Sequence, residues 1–453
     1  MKLTRRNLLA NSALAGLFAY ANPAAYAASS STPWRNWSGA LSCEPAGRFS
    51  PANELQLSDF LSSTTGALRP VGSGHSFTPL VPTDGHLLVL DQLTGLLGHS
   101  ASAQQATFAA GTRLGDMGVS LAQIDQAMLN LPDIDRQTLA GAMATATHGT
   151  GIGFTCLSGF AQALRLVTPR GEILDLDANH QPDVFAAALV SVGALGVTTQ
   201  VTLQNRTPYK LKLKNGVERI EDVLDRFDSA ANEHRHFEMF PLTHSDYALT
   251  LEIDETDEPI NNPPPSAEDE AAFGQAMAYW ATLPPKQRLP LVNALAEQIE
   301  PSEAVDESYK ILTNIRNNRF NEMEYSVPLD AGADCLREVL ATIIDKEIDV
   351  VFPLEYRYVK RDDTLLSMSS GDEDHAAISI HRVASEDYRP YFDLIEPIFW
   401  KYGGRPHWGK VHSLGAAQLA KLYPRFAEFQ AIRAQLDPTG RMLNDHLRKL
   451  FIP

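Results

Sequence analysis

Two stretches carry side chains suited to chemistry at a spacing that would bring them to one ligand. In Arg69-Pro70-Val71-Gly72-Ser73-Gly74-His75-Ser76-Phe77, two glycines one apart precede an imidazole and a hydroxyl. Glycine lets a backbone approach a ligand and present its N–H groups, and His75 then stands beside whatever lies there. The alternative is a tight turn. A dinucleotide-binding loop needs a third glycine at position 77 and a helix after it. Position 77 is Phe, and Pro79 and Pro82 oppose a helix. The second stretch, Gly404-Arg405-Pro406-His407-Trp408-Gly409-Lys410-Val411, fits G-x-x-x-x-G-K. Valine stands where a Ser or Thr would hold magnesium, and Pro406 and Trp408 crowd the loop, so a nucleotide-triphosphate site is excluded. A binding loop and a surface turn with a packed tryptophan both remain open.

Two further groups sit on short extended runs. Glu355-Tyr356-Arg357 lies in a strand-like segment. Alternation puts Glu355 and Arg357 on one face, as a salt-bridged surface or a polar pocket wall. His381 lies in Ile378-Ser379-Ile380-His381-Arg382-Val383, also strand-like, where a histidine is either structural or a base. No H-E-x-x-H, C-x-x-C or G-x-S-x-G occurs, so metal hydrolysis and strand-elbow serine chemistry have no support, and no metal site is expected.

The elements that must position these groups change in style along the chain. Residues 53–66 read as helix, His86–Asp91 and Ala106–Ala110 as strands, and Leu114–Leu129 as helix. Leu139–Thr147 is dense in Ala and Gly before Thr147-His148-Gly149-Thr150-Gly151. That implies backbone close to something flat or bulky, either chain or cofactor. Ala163–Thr168 and Ile173–Asp177 read as a hairpin, Asp183–Ser191 as helix and Val197–Leu203 as strand. A new block follows: helix Val217–His234, strands His236–Phe240 and Tyr247–Ile253, and an acidic loop Glu255–Glu270 with four prolines. Ala271–Ile299 reads as a long helix interrupted at Pro284-Pro285. Met323–Val327 and Val350–Val359 read as strands around a helix Gly332–Lys346, and Leu422–Leu436 as helix. Trp34 and Trp37, three apart, are packing residues or a lid.

Composition bounds the class. The 453 residues are 44% hydrophobic and 21% charged, with net charge −17. An acidic chain with no basic block is a poor partner for nucleic acid or anionic membrane. Cys43, Cys156 and Cys335 are too few and too far apart for a disulfide framework or a zinc site. Arg5-Arg6, the mildly apolar run Leu8–Tyr20 and Ala25-Tyr26-Ala27 read as a signal peptide of twin-arginine type over residues 1–27, not as a stable membrane anchor. The expected location is therefore the periplasm.

Taken together, Asn36–Gly39, Arg69–Ser76, Ala140–Gly151, Gly193–Leu203, Glu355–Arg357, Arg405–Lys410 and Asp437–Leu447 resemble the vanillyl-alcohol-oxidase-type flavoproteins. The match is to their sugar-1,4-lactone oxidase (D-arabinono- or L-gulono-1,4-lactone) and alditol oxidase branch. The resemblance implies an α+β, two-domain FAD-binding (PCMH-type) fold with a mixed α/β cap over the flavin. It implies an FAD domain at 28–205, a cap at 206–420, and a C-terminal segment, 421–453, returning to the FAD domain. His75 would carry FAD covalently. Gly72, Ser73, Gly74 and Ser76, with Thr147, His148, Gly149 and Gly151, would cradle the pyrophosphate and ring, and the Gly193–Val197 segment, including Gly196 and Val197, would hold the adenine side. Glu355, Arg357, His381 and Lys410 would form the catalytic wall, with His381 as base and Glu355 accepting hydrogen bonds from substrate hydroxyls. Pro132 matches the position that bears on oxygen access and implies molecular oxygen as acceptor. The implied substrate is a sugar lactone; an alditol, or a periplasmic dehydrogenase passing electrons elsewhere, is the alternative.

Overall fold

In a computed structural model, residues 32–262, 275, 278–314 and 318–452 are described; the expected signal segment and the second half of the acidic loop, 263–270, lie outside them. The loop after Val71 hangs from a three-stranded parallel sheet ordered Gly47–Phe49, His86–Val89, Leu68–Val71. Beside it runs an antiparallel sheet ordered Ile173–Asp177, Ala161–Val167, Val197–Arg206, Gln105–Ala109, Leu96–Ser100, with Ala127–Met128 pairing the far end of the long strand. Val197–Arg206 alternates strictly between buried and half-buried residues, as a strand with one face on a core does. The Ala/Gly-rich stretch forms a short helix, Leu139–Ala144, whose N-cap Thr138 accepts from Gly141 N–H.

Between Arg206 and Lys210 the chain leaves this sheet for another. The second is antiparallel with eight strands in the order Ser302–Glu307, Lys210–Arg219, Tyr247–Glu255, His236–Pro241, Glu355–Val359, His375–Val383, Phe320–Pro328, Arg405–Pro406. Its two faces differ because side chains alternate. Tyr356, Tyr358, Ile378, Ile380, Met323 and Tyr325 point to one buried apolar side. Helices Ile220–Glu233, Gly332–Asp345 and Arg389–Lys401 cover it; Phe227, for example, meets Tyr356 and Tyr358 edge-on at 4.7 Å. The other face carries Glu322, Glu324, Glu355, Arg357, Ser379 and His381.

The last residues return to the first sheets. The Arg441 guanidinium donates to the carbonyls of Leu61, Gly66, Thr64 and Pro169, and Leu68 N–H donates to Arg441 O at 2.8 Å. No helix among the described residues is long and apolar enough to cross a membrane. Cys156 and Cys335 are buried and Cys43 half-buried, all as free thiols.

Several elements differ from the sequence expectation. The helix from Leu114 stops at Ala122, where the chain turns through Asp125 at φ 53°. The helix expected from Val217 starts at Ile220, because Lys210–Arg219 is a strand. The strand expected from Val350 starts only at Glu355, two residues after Pro353, which has no N–H for a ladder. The helix expected from Leu422 starts at Phe426, past Pro424.

Candidate active site

A cavity of about 470 Å³ lies against Arg69–Phe77. Ala110–Asp116, Ile134–Thr145, Ser191–Thr198 and His407–Lys410 also line it, with Leu80, Val81 and residues from Val89 to Thr94. Gly72 approaches Thr138 so closely that a Cβ there would overlap the threonine hydroxyl. Gly74 takes φ 72°, and a Cβ on it would lie 3.3 Å from the Trp34 ring. Both positions therefore require glycine.

The cavity tests whether the implied cofactor fits. The backbone N–H groups of Ser73, Gly74, His75 and Ser76 donate to nothing among the described residues, and these residues line the space. Arg69 also lines it; its buried guanidinium donates to the carbonyls of Leu80, Gly193, Met442 and Val192 and meets no carboxylate among the described residues. Burial pushes Arg69 down to about 9. Free amides and an uncompensated buried cation suit a diphosphate. Gly193, Gly196 and Val197 line the same space. The residues present fit FAD.

His75 lines the cavity among cations. Burial, with Lys410, Arg113 and Arg136, pushes it down to about 4, so the imidazole is neutral near pH 7. Trp37 stacks on it, with ring centroids 5.3 Å apart.

Thr147, His148, Gly149, Gly151 and Pro132 are not among the residues that line this cavity. The segment around them meets the eight-stranded sheet at a joint. Gly151 N–H donates to Tyr358 O at 3.0 Å, and Thr150 Oγ1 donates to Glu238. A Cβ on Gly149 would overlap the Leu131 carbonyl, so Pro132 is buried directly against this turn. His148 Nε2 reaches Glu324 Oε1 at 2.8 Å.

The sheet face above the joint brings the four expected catalytic side chains together. Register places Glu355 opposite Ser379, Glu324 opposite Ser379 and His381 opposite Glu322. Arg357 is shared, with Nη1 3.0 Å from Glu355 and Nη2 3.3 Å from Glu324. Glu322, Glu355 and His381 place one potential ligand atom each within 4.8 Å of one another. Lys410 Nζ bonds Glu322, not Glu355. It alone of the four lines the cavity, and so links the cluster to it.

Glu322 and Glu324 were absent from the sequence expectation. The available signal was their two-residue spacing, with Glu324 inside the strand read over Met323–Val327 and Glu322 one residue before it. Burial opposes ionisation of Glu324, but His148 and Arg357 outweigh it and hold the carboxylate well below its usual range. Burial, opposed by Arg357 and reinforced by Glu238, Asp133 and Glu322, pushes Glu355 up to about 8. With Arg357 shared and several carboxyls close together, one keeps its proton. Glu355 is therefore a hydrogen-bond donor near pH 7, where an acceptor was expected.

His381 Nδ1 lies 3.2 Å from Pro353 O, and a carbonyl only accepts. The proton then sits on Nδ1 and the lone pair on Nε2, as the network assigns it. Nε2 lies 3.7 Å from Glu322 Oε1. His381 is thus placed to take a proton beside a carboxylate that would stabilise the resulting cation.

Comparison with known proteins shows the family and the fold. Residues 201–450 match the family model D-arabinono-1,4-lactone oxidase, and residues 45–177 match an FAD binding domain. The L-gulono-1,4-lactone dehydrogenase of Mycobacterium tuberculosis is 35% identical over 431 residues, covering 93% of this chain and 99% of the relative. The L-gulonolactone oxidase of Bos taurus is 28% identical, covering 92% and 98%. A cholesterol oxidase structure from Brevibacterium sterolicum superposes with a TM-score of 0.76 at 15% identity, over 93% of this chain and 97% of that one, which shows the two-domain α+β fold. This chain belongs to the D-arabinono-1,4-lactone oxidase family of FAD-dependent oxidoreductases acting on CH–OH donors.

Proposed function

We propose that the protein oxidises a sugar-1,4-lactone at the carbinol carbon beside the carbonyl, with FAD held covalently by His75 and O2 as acceptor. The observation that carries this is Lys410, which lines the cofactor cavity with His75 and bonds Glu322 in the cluster of His381, Glu355 and Arg357. Bound FAD supplies the two-electron acceptor for the hydride leaving the carbinol carbon. His381 Nε2 takes the hydroxyl proton, and Glu322 stabilises the imidazolium. Lys410 places a positive charge between the cluster and the cofactor cavity, where negative charge develops. Protonated Glu355 donates to a lactone oxygen, and Arg357 fixes that carboxyl.

In this reading residues 28–205 with 421–453 form the FAD unit and 206–420 the cap; the change of sheet between Arg206 and Lys210 supports that division. Arg5-Arg6 and the small-residue site at Ala25–Ala27 support export to the periplasm by the twin-arginine route. Anaerobic bleaching of the flavin by an aldonolactone, followed in air by one H2O2 per lactone oxidised, is the expected result. Bleaching by alditols alone would refute the lactone assignment. The name of the 35% identical relative favours a second reading, a dehydrogenase. Turnover with a quinone or dye but no peroxide in air would establish it in place of the oxidase.

The state of Glu355 predicts a pH dependence. Its folded value is raised, so the neutral form dominates below about pH 8 and is lost above it. kcat/KM should fall on the alkaline side of about pH 8, and Glu355→Gln, which keeps an N–H donor, should remove that limb. A wild-type profile flat to pH 9.5 would refute the donor role.

A further inference from the structure

Asn36-Trp37-Ser38-Gly39 has no part in the proposed chemistry, yet it grips the loop that does. Trp37 N–H donates to Gly74 O at 2.7 Å, and Asn36 Nδ2 donates to Ser76 O at 3.0 Å, one bond on each side of His75. Asn36 is buried and braced in turn: its Oδ1 accepts from Leu41 N–H at 3.0 Å, and its Nδ2 also reaches Ser38 Oγ at 3.0 Å. The strands Trp34–Arg35 and Ser42–Cys43 pair across this turn and fix it.

The Trp37 indole then lies on the His75 imidazole with 5.3 Å between centroids and 26° between planes. Its other contacts are edges, Phe320 at 5.1 Å and Phe77 at 6.3 Å. Neither ring nitrogen of His75 has a hydrogen bond among the described residues, so nothing polar sets the direction of the ring. The aromatic stack is what fixes it.

We propose that Trp37 is the positioning residue for the covalent attachment of FAD: it holds the His75 imidazole in the orientation that bonds the cofactor. The inference rests on the reading that His75 carries FAD. In that step an imidazole nitrogen bonds the 8α carbon, and one C–H and one N–H bond break. Two protons go to solvent, and two electrons pass to the oxidant that re-oxidises the cofactor in turnover, O2 or a quinone. A nucleophile on a side chain with two rotatable bonds gains most from being held against one face, because misplacement by about 1 Å costs about 10²-fold in rate.

The test uses full-length protein purified with its cofactor, as wild type, Trp37→Phe, Trp37→Leu and Trp37→Ala. Acid precipitation separates covalent flavin in the pellet from free flavin in the supernatant, and the ratio is taken per flavin bound. Phe should keep the stack and a near wild-type ratio. Leu fills much of the same space without a ring, and its ratio should fall about tenfold at early times after FAD is supplied, with FAD still bound. Ala should behave as Leu does; if it does not fold, the Leu–Phe comparison decides. Leu at the wild-type ratio and rate would overturn the proposal. Wild type that releases all its flavin into acid, like the His75→Ala control, would instead overturn the covalent reading itself.

Discussion

Lys410→Met should slow anaerobic reduction of the flavin by about 10²–10³-fold while FAD remains bound. Of the four expected catalytic side chains, Lys410 alone lines the cofactor cavity as well as joining the carboxylate–histidine cluster. Its backbone is fixed independently of the ammonium. His407 N–H donates to Glu324 O at 3.0 Å, Val411 N–H to Glu322 O at 2.8 Å, Lys410 N–H to His407 O at 2.9 Å, and Phe77 N–H to Gly409 O at 2.7 Å. The loop therefore survives the substitution, and the aliphatic chain of Met still covers Phe77, over which Nζ lies at 5.3 Å. Only the charge is lost, which leaves Glu322 buried without its cation and removes a positive charge from the region where negative charge develops. His75 should gain proton affinity too, since Lys410 is one of the groups holding it down. Stopped-flow reduction by the lactone measures the first effect, and retention of flavin through gel filtration controls for the second. Unchanged reduction would remove Lys410 from the mechanism.

Local sequence resolved the groups that act through type and spacing. Gly72, Gly74 and His75 were legible because residue type marks a close backbone approach, although the neighbours that require glycine there, Thr138 and Trp34, are distant in sequence. Glu355 and Arg357 share a face because strand alternation is local as well. Partners across the sheet are not. Glu322 lies opposite His381 because Phe320–Pro328 pairs His375–Val383, and nothing within either strand specifies that register. The same holds for His148, whose partner Glu324 lies 176 residues away. The protonation of Glu355 follows from four residues on four segments, so its role as donor was invisible from Glu355-Tyr356-Arg357 alone. Three of the element ends missed by sequence patterns lie at prolines or at Asp125, which end or delay an element without changing its hydrophobic period; the fourth, at Ile220, was moved by the strand Lys210–Arg219.

Glu324→Ala should lower the stability of the FAD-bound protein by about 3–5 kcal/mol, because it removes a carboxylate from a buried, hydrogen-bonded ionic cluster. Glu324 is essentially inaccessible. It takes Nε2 of His148 at 2.8 Å from the first sheet system, and Arg357 at 3.3 Å and Ser379 at 3.0 Å from the second. Removing it cuts a polar connection between the two systems, takes the carboxylate partner from the His148 imidazole and leaves Arg357 with Glu355 alone. In a side-by-side scan the thermal midpoint should fall by ~5–10 °C. Glu324→Gln should fall less, since the amide oxygen still accepts one of these bonds. Chemistry responds as well. Without Glu324, Arg357 turns wholly to Glu355 and favours its ionised form, so the alkaline limb of kcat/KM should move to lower pH in both variants. A destabilised variant with an unmoved limb would make Glu324 a joint residue alone. A moved limb at unchanged stability would make it a purely electrostatic one. Both shifts are expected together, because one carboxylate serves the joint and shares Arg357 with Glu355.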